Sequence, residues 1–294
     1  MQRSTATGGR PIDGGVDVSV VIPVLDGMPW LEDQLAAVAD QGVPPTWEVV
    51  VADNGSTDGT RRAVQAWTAR DPRVRLVDAP ARRGPGPARN AGAAAATGRL
   101  LAFCDADDVV RPGWLAACTA ALDGADLVAG TFDFASLNGA AAAAPVPAAT
   151  VQLGFLPAGL GANLGVRRQA FEAVGGFDET LEVGEDIDLC WRLQLAGFRF
   201  APAPGAVVAK REPPDARRVL RTAWAYGRCG PRLYRRHRSA GMHRDLRGAA
   251  KAWTWLLVAW PANLDRRRRR RWARTFGVRS GRLAGSVRQR VFFP

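Results

Sequence analysis

The segment Leu100–Asp108, Leu-Leu-Ala-Phe-Cys-Asp-Ala-Asp-Asp, constrains the chain more than any other: an apolar run stops abruptly in three carboxylates. A short run of large apolar side chains bounded by polar residues reads as a buried strand. In an open α/β sheet the ligand sits beyond the carboxyl ends of such strands, so Asp105 and Asp107 are expected where a ligand binds. Side chains alternate along a strand. Positions 105 and 107 therefore point the same way and can converge on one hard cation, with Asp108 directed elsewhere or opening the next turn. Two carboxylates completed by phosphate oxygens suit Mg2+ or Mn2+. The same acids also make an ordinary strand-end turn, because aspartate clusters cap helices and terminate strands.

The surrounding pattern supports the strand. Val18–Ile22 is an apolar run ending at Pro23, Trp47–Ala52 is a second, and Val74–Val77 a third. Between them lie helical patterns over Trp30–Gln41 and Gly59–Arg70, the latter with Asp58 as a plausible N-cap. Arg82–Pro87 reads as a loop, Ala88–Ala96 as an alanine-rich helix, Pro112–Leu122 as a helix and Asp126–Phe132 as a strand. Strands alternating with helices in this way predict βαβ crossovers and a mostly parallel sheet of α/β class. Residues 139–149 are Ala/Pro low complexity and read as a surface loop. Order resumes at Leu160–Val166 and a helix over Arg168–Val174. In Gly184-Glu185-Asp186-Ile187-Asp188-Leu189-Cys190-Trp191-Arg192, three acids fall in the first turn of a helix. The helix dipole favours acids there, which accounts for one or two of them; a third beside a glycine turn exceeds capping.

Charge divides the 294-residue chain. From Lys210 onward it has 24 Lys and Arg against 4 Asp and Glu, a net of +20, whereas residues 1–209 carry 16 against 24, a net of −8. The expected organisation is a polar lead at 1–16, a neutral-to-acidic domain at 17–210 and a basic, mainly helical tail at 211–294. Within the tail, Asp215–Arg238 reads as a long helix. Ala249–Ala262 is a short Trp-rich one, followed by six arginines, Arg266–Arg271. Tryptophan with dense arginine suits an anionic membrane surface; the alternatives are an acceptor lid or a homodimer surface. Nucleic acid is a weaker partner, since no RRM, zinc-finger or helix-turn-helix pattern accompanies the charge. Cys104, Cys118, Cys190 and Cys229 lack CxxC spacing and read as free thiols of a reducing compartment. With no apolar leader and no run long enough to span a bilayer, a cytoplasmic or peripherally attached protein is expected.

The order of motifs resembles family 2 inverting glycosyltransferases of GT-A fold: strand–Pro23, Val-Ala-Asp53-Asn54-Gly-Ser-Thr-Asp58, Gly-Pro-Ala-Arg89-Asn90-Ala-Gly92, Asp105-Ala-Asp107-Asp108, Gly175-Gly-Phe-Asp178 and Gly184-Glu185-Asp186. Within the family the wording is most similar to bacterial rhamnosyltransferase-like members. The resemblance covers residues 17–210 and implies a Rossmann-like sheet that binds a nucleoside-diphosphate sugar, whether UDP, dTDP or GDP. By that resemblance Pro23, Val24, Asp26, Asp53 and Asn54 hold the nucleoside, and Arg89 reaches the diphosphate or braces the site. Asp105 and Ala106 contact the ribose side, Asp107 with Asp105 binds the metal, and Asp186 is the catalytic base with Glu185 beside it. Implied in turn is metal-dependent transfer of a sugar to an acceptor hydroxyl, lipid-linked or polysaccharide, or else on a small molecule or peptide. A phosphate- or nucleic-acid-binding domain without activity is disfavoured, because a polyanion binder has no use for acids in its cleft.

Overall fold

Val18–Val24 (β1) alternates little between apolar and polar residues, as expected of a strand covered on both faces, and is buried along almost its whole length. It opens a computed structural model that describes residues 16–42, 46–79, 82–139, 145–213, 215–259 and 265–294, with backbone only at Arg266 and Arg267. The helix Leu31–Ala39 (α1) leads to Trp47–Asp53 (β2), Thr60–Arg70 (α2) and Val74–Asp78 (β3). Next come Pro85–Ala95 (α3), Leu100–Cys104 (β4), Val109–Val110 (β5), Trp114–Leu122 (α4) and Leu127–Asp133 (β6). A short excursion, Ala135–Asn138 (α5), Val146–Pro147 (β7), Thr150–Val151 (β8) and Pro157–Ala158 (β9), precedes Asn163–Arg167 (β10). Arg168–Ala173 (α6), Glu185–Leu195 (α7) and Phe200–Ala209 (β11) complete the sheet, and Ala216–His237 (α8), Leu246–Val258 (α9) and Arg266–Gln289 (α10) form the tail.

The strand order is β3-β2-β1-β4-β10-β6-β11-β5, with β7 added beside β6. Pairs β3–β2, β2–β1, β1–β4 and β6–β11 are parallel, while β10 runs antiparallel between β4 and β6. The mostly parallel α/β expectation holds, and the carboxyl ends of β1, β2 and β4 open on the same edge. All four cysteines are free and buried, in accord with the spacing argument. The expected lead at 1–16 lies outside the described residues except for Val16, as do residues 140–144 of the Ala/Pro loop.

Three elements differ from the sequence expectation. The helix after β3 starts at Pro85 rather than Ala88, because proline fixes a helical φ and the missing N–H falls in the first turn, where no partner exists anyway. Phe200–Ala209 was not expected as a strand. Its prolines at 202 and 204 give up ladder donors, and the pairing with β6 is interrupted between Pro202 and Val207. The six arginines, to which the sequence assigns no element, begin α10, whose first turn is capped by Asp265 accepting from the Arg268 N–H at 2.8 Å.

The tail is docked on the sheet domain. Fully buried Asp188 of α7 accepts from Arg192 at 2.6 Å and meets His237 Nε2 of α8 at 2.8 Å. Burial works against its charge, but His237 and Arg192 hold its pKa below the usual carboxylate range. Gly277, Gly281 and Gly285 recur at four-residue spacing on the side of α10 that faces α8, so the two backbones approach closely. A Cβ at Gly281 would stand 2.2 Å from the Trp224 carbonyl oxygen. Gly281→Ala is therefore expected to push α10 off α8, destabilising the fold by about 1–3 kcal/mol. Chemical denaturation, with proteolysis mapped to the tail, checks this. Among the described residues no helix is long and apolar enough to cross a membrane.

Candidate active site

A cleft of about 860 Å³ opens beyond the carboxyl ends of β1, β2 and β4. Its near wall is the Pro23–Met28 segment, held by the loop after β2. Asp26, in the left-handed region at φ 51°, accepts from the Thr57 N–H at 2.7 Å, and its own N–H donates to Ser56 Oγ at 2.9 Å. Asp58 accepts from the N–H groups of Met28 at 3.0 Å and Thr60 at 2.9 Å, so it ties both loops to the first turn of α2. Gln34 of α1 fixes the opposite lip: its amide donates to the Asp105 carbonyl at 2.9 Å and accepts from the Val110 N–H at 2.9 Å.

Asp105, Asp107 and Asp108 bring carboxylate oxygens within 4.8 Å of one another. Asp108 is directed elsewhere, as expected, and does not line the cleft. It is fully buried, and its two oxygens accept from Lys210 Nζ at 2.7 Å and the Arg211 N–H at 2.9 Å. Asp105 accepts from Arg89 at 2.8 Å through one oxygen, and its other oxygen lies 3.6 Å from Lys210. Burial opposes ionisation of Asp105, yet Lys210 and Arg89 keep its pKa below the usual range. Burial likewise disfavours the charge on Lys210, and the Asp105 and Asp108 carboxylates overcome it. Asp107 is exposed and, among the described residues, forms no ion pair. Burial of the carboxyl group and the neighbouring Asp105 charge push its pKa up. A carboxylate penalised in this way and a second with one oxygen lacking a close hydrogen bond suit Mg2+ or Mn2+, which take few protein ligands and complete their shell with water and phosphate. Asp108 serves instead to hold Lys210.

Across the cleft, α7 presents its first turn. Arg89, almost fully buried, spans the two walls: one terminal nitrogen donates to Glu185 at 2.8 Å and the other to Asp105 at 2.8 Å. Its Nε is buried without a hydrogen-bond partner. The guanidinium packs on Gly161, where a Cβ would come within 2.6 Å of it. Asp186 accepts from the Gly161 N–H at 2.9 Å and the Ile187 N–H at 2.8 Å, and opens on the cleft. Burial raises the pKa of Asp186 against those backbone donors. Glu185 is pushed up to about 7 by burial and by the Asp186 charge, in spite of Arg89. Removing Arg89 would leave the buried Glu185 without a cation and Asp105 with only Lys210, 3.6 Å away. Arg89→Met is expected to destabilise the protein by about 3–5 kcal/mol in chemical denaturation, the range for a broken buried pair.

Pro23, Val24, Asp26, Asn54, Arg89, Asp105, Ala106, Asp107, Glu185 and Asp186 all line this cleft. Asp53 does not. Its carboxylate is fully buried, 2.7 Å from Arg61, and accepts from the Ser56 N–H, so it braces the loop after β2. Asn54 lines the cleft, but its amide is spent on the following turn, donating to the Ala79 and Arg82 carbonyls and accepting from the Gly84 N–H at 2.7 Å. It has little left with which to read a base.

Lys210 and Arg211 were not foreseen as site residues, because the strand that delivers them was hidden by its prolines. Arg211 stacks 3.9 Å over Trp30 and donates to the Asp107 carbonyl at 3.0 Å. Arg218, Thr222 and Tyr226 follow at four-residue spacing on one face of α8 and form the far wall. The boundary expected at 210/211 therefore runs through the cleft rather than beside it.

Comparison with known proteins places this geometry. The profile of glycosyl transferase family 2 matches residues 19–145, and that of glycosyl transferase family group 2 matches residues 101–278. The pre-mycofactocin glycosyltransferase of Mycobacterium tuberculosis is 32% identical over 268 residues, covering 85% of this chain and 54% of that protein. Succinoglycan biosynthesis protein ExoO of Rhizobium meliloti is 36% identical over 219 residues, covering 66% and 60%. The chain thus spans just over half to about three fifths of the length of these curated relatives. Among solved structures, mannosyltransferase PcManGT of Pyrobaculum calidifontis, in complex with GDP-Man and Mn2+, aligns with a TM-score of 0.66 at 22% identity, over 96% of this chain and 90% of that one. S. aureus TarS 1–349 in complex with UDP aligns with a TM-score of 0.55 at 18% identity, over 95% and 93%. These likenesses give the fold as GT-A. The relatives do not single out the rhamnosyltransferase-like subgroup suggested by the sequence. With profile matches across most of its length and a carboxylate-edged cleft at the strand ends, the chain belongs to glycosyltransferase family 2.

Proposed function

We propose that the cleft binds a nucleoside-diphosphate sugar and transfers the sugar, with inversion, to an acceptor hydroxyl. The observation that carries this reading is Arg89, which joins Asp105 on the diphosphate side to Glu185 beside Asp186, so one buried side chain ties the two halves of the reaction together. Asp107 and the second oxygen of Asp105 would hold Mg2+ or Mn2+. Bound there, the ion would neutralise charge growing on the departing diphosphate. Lys210 and Arg211 lie on the same side and supply fixed positive charge to those phosphates. Asp186 takes the proton from the acceptor hydroxyl as its oxygen attacks the anomeric carbon. The bond from that carbon to the diphosphate oxygen breaks with its electron pair on the oxygen. Attack from the face opposite the leaving group inverts the anomeric configuration.

Relatives named for succinoglycan biosynthesis, ExoO, ExoU and ExoA, support a polysaccharide or lipid-linked acceptor. The relative named for pre-mycofactocin keeps a small acceptor as the second reading. An anionic membrane surface suits the tail: Leu257 and Val258 of α9 are 79% and 80% exposed, and Arg271 near the start of α10 lies 5.3 Å over Trp255.

The test is product analysis with UDP-, dTDP- and GDP-sugars and Mn2+. Release of nucleoside diphosphate with a product of inverted anomeric configuration by NMR supports the reading, and a retained configuration refutes it. The pH profile follows from the carboxyl pair. The base must be ionised, and burial raises the pKa of Asp186 beside a Glu185 pushed up to about 7, so kcat/KM is expected to rise with pH along an acidic limb that the two carboxyls set together. Glu185→Gln removes one titrating partner and is expected to move this acidic limb to lower pH; an unmoved limb would assign it to another group.

A further inference from the structure

A smaller recess of about 210 Å³ shares part of its lining with the main cleft. Glu182 and Val183 line both, so the two spaces are neighbours. The recess is lined by four arginines: Arg82 after β3, Arg228 and Arg232 of α8, and Arg288 of α10. Among the described residues none of the four forms an ion pair with a carboxylate, although Arg61, Arg75, Arg192 and Arg236 of the same chain all do. Two of them are already in place. Arg232 donates to the carbonyl and hydroxyl of Thr180, and Arg228 rests 4.7 Å over the Trp224 ring. Glu182 is the one acid of the lining, and it is exposed.

We propose that this recess binds a phosphate group carried by the acceptor. Guanidinium forks match phosphate oxygens, and arginines ordered beforehand lose little freedom on binding. A space of this size falls below that of ordinary small-molecule pockets, so it takes a single anionic group, whereas the 860 Å³ cleft has room for the donor. Position assigns the anion to the acceptor rather than the donor. Tyr226 of α8 lines the cleft and its chain neighbour Ala225 lines the recess, with Arg228 and Arg232 following on the Ala225 face at helical spacing. An acceptor with its hydroxyl at Asp186 can thus extend past Tyr226 and place a phosphate among the arginines. The inference rests on the transferase reading for the word acceptor, and on the recess alone for the phosphate.

The test uses the full chain with three probes, inorganic phosphate, farnesyl monophosphate and farnesol, and with phosphatidylcholine vesicles containing or lacking phosphatidylglycerol. Both phosphates are expected to bind and farnesol is not; farnesyl monophosphate binding the more tightly would assign the phosphate to a lipid-carried acceptor. Arg228→Gln/Arg288→Gln is expected to weaken phosphate binding by about tenfold or more, while a nucleotide with Mn2+ shifts its Tm as it does that of the wild type. In the wild type, phosphate should protect Arg228 and Arg288 from phenylglyoxal, read peptide by peptide, which decides the matter even if the double variant does not fold. Unprotected arginines, phosphate displaced by nucleotide with Mn2+, or binding only to phosphatidylglycerol vesicles would overturn the proposal, the last by making the arginines a membrane contact. Phosphate binding at the recess with no nucleotide binding at the cleft would leave the anion site standing and remove the transferase reading instead.

Discussion

Asp186→Asn is expected to lower kcat for sugar transfer by about 10²- to 10⁴-fold, the range for loss of a general base, with nucleotide affinity close to that of the wild type. The amide keeps the shape of the carboxylate and can still accept from the Gly161 N–H, which the carboxylate meets at 2.9 Å, so the loop that packs on Arg89 stays in place. What it loses is a basic oxygen at the acceptor face of the cleft. Single-turnover kinetics with saturating donor isolates this step from product release. Near-normal turnover would reassign the base, with Glu185 next to be tested because it opens on the same cleft.

Asp107→Ala is expected to raise the metal concentration needed for half-maximal activity by at least about 10- to 100-fold, since even the partners that only orient metal ligands carry effects of that size. Donor affinity measured with Mn2+ should fall with it, and donor affinity in chelator should change little. Stability without metal should hold or rise slightly. Asp107 is exposed, lacks an ion-pair partner among the described residues, and sits where burial and Asp105 disfavour its charge. Asp108→Ala makes the contrast, because it empties a fully buried position and leaves half-buried Lys210 with only Asp105, 3.6 Å away, so the protein should unfold at lower denaturant. Activity titrated with Mn2+, set beside urea denaturation, separates the two aspartates.

The strand-and-carboxylate pattern of Leu100–Asp108 was legible because both the apolar run and its abrupt end are local. The helix carrying Glu185, Asp186 and Asp188 was equally so. Beyond the alternation at the end of β4, the sequence could not reveal which acids face ligand and which face protein. Asp53 and Asp58 occupy one short loop, and only the fold shows Asp53 facing Arg61. Asp107 and Asp108 are adjacent; strand alternation sends them different ways, and the fold adds what Asp108 meets, Lys210 from more than a hundred residues away. Lys210 itself was obscured because Pro202 and Pro204 disguise β11, whose partner β6 lies some seventy residues earlier. In the tail, a run of like charge masked the helix α10. Its register is set by the glycines that let it lie against α8, a long-range fit with no signature in hydrophobic periodicity.

Calorimetric titration of the wild-type chain with UDP, dTDP and GDP, each with and without Mn2+, decides whether the cleft is a metal-assisted nucleotide site. One of these nucleotides is expected to bind at micromolar to millimolar concentration, more tightly with Mn2+, and Asp107→Ala is expected to abolish that tightening. Binding of none of them under either condition, or binding indifferent to both Mn2+ and Asp107, would contradict a metal-assisted nucleoside-diphosphate site at the ends of β1, β2 and β4.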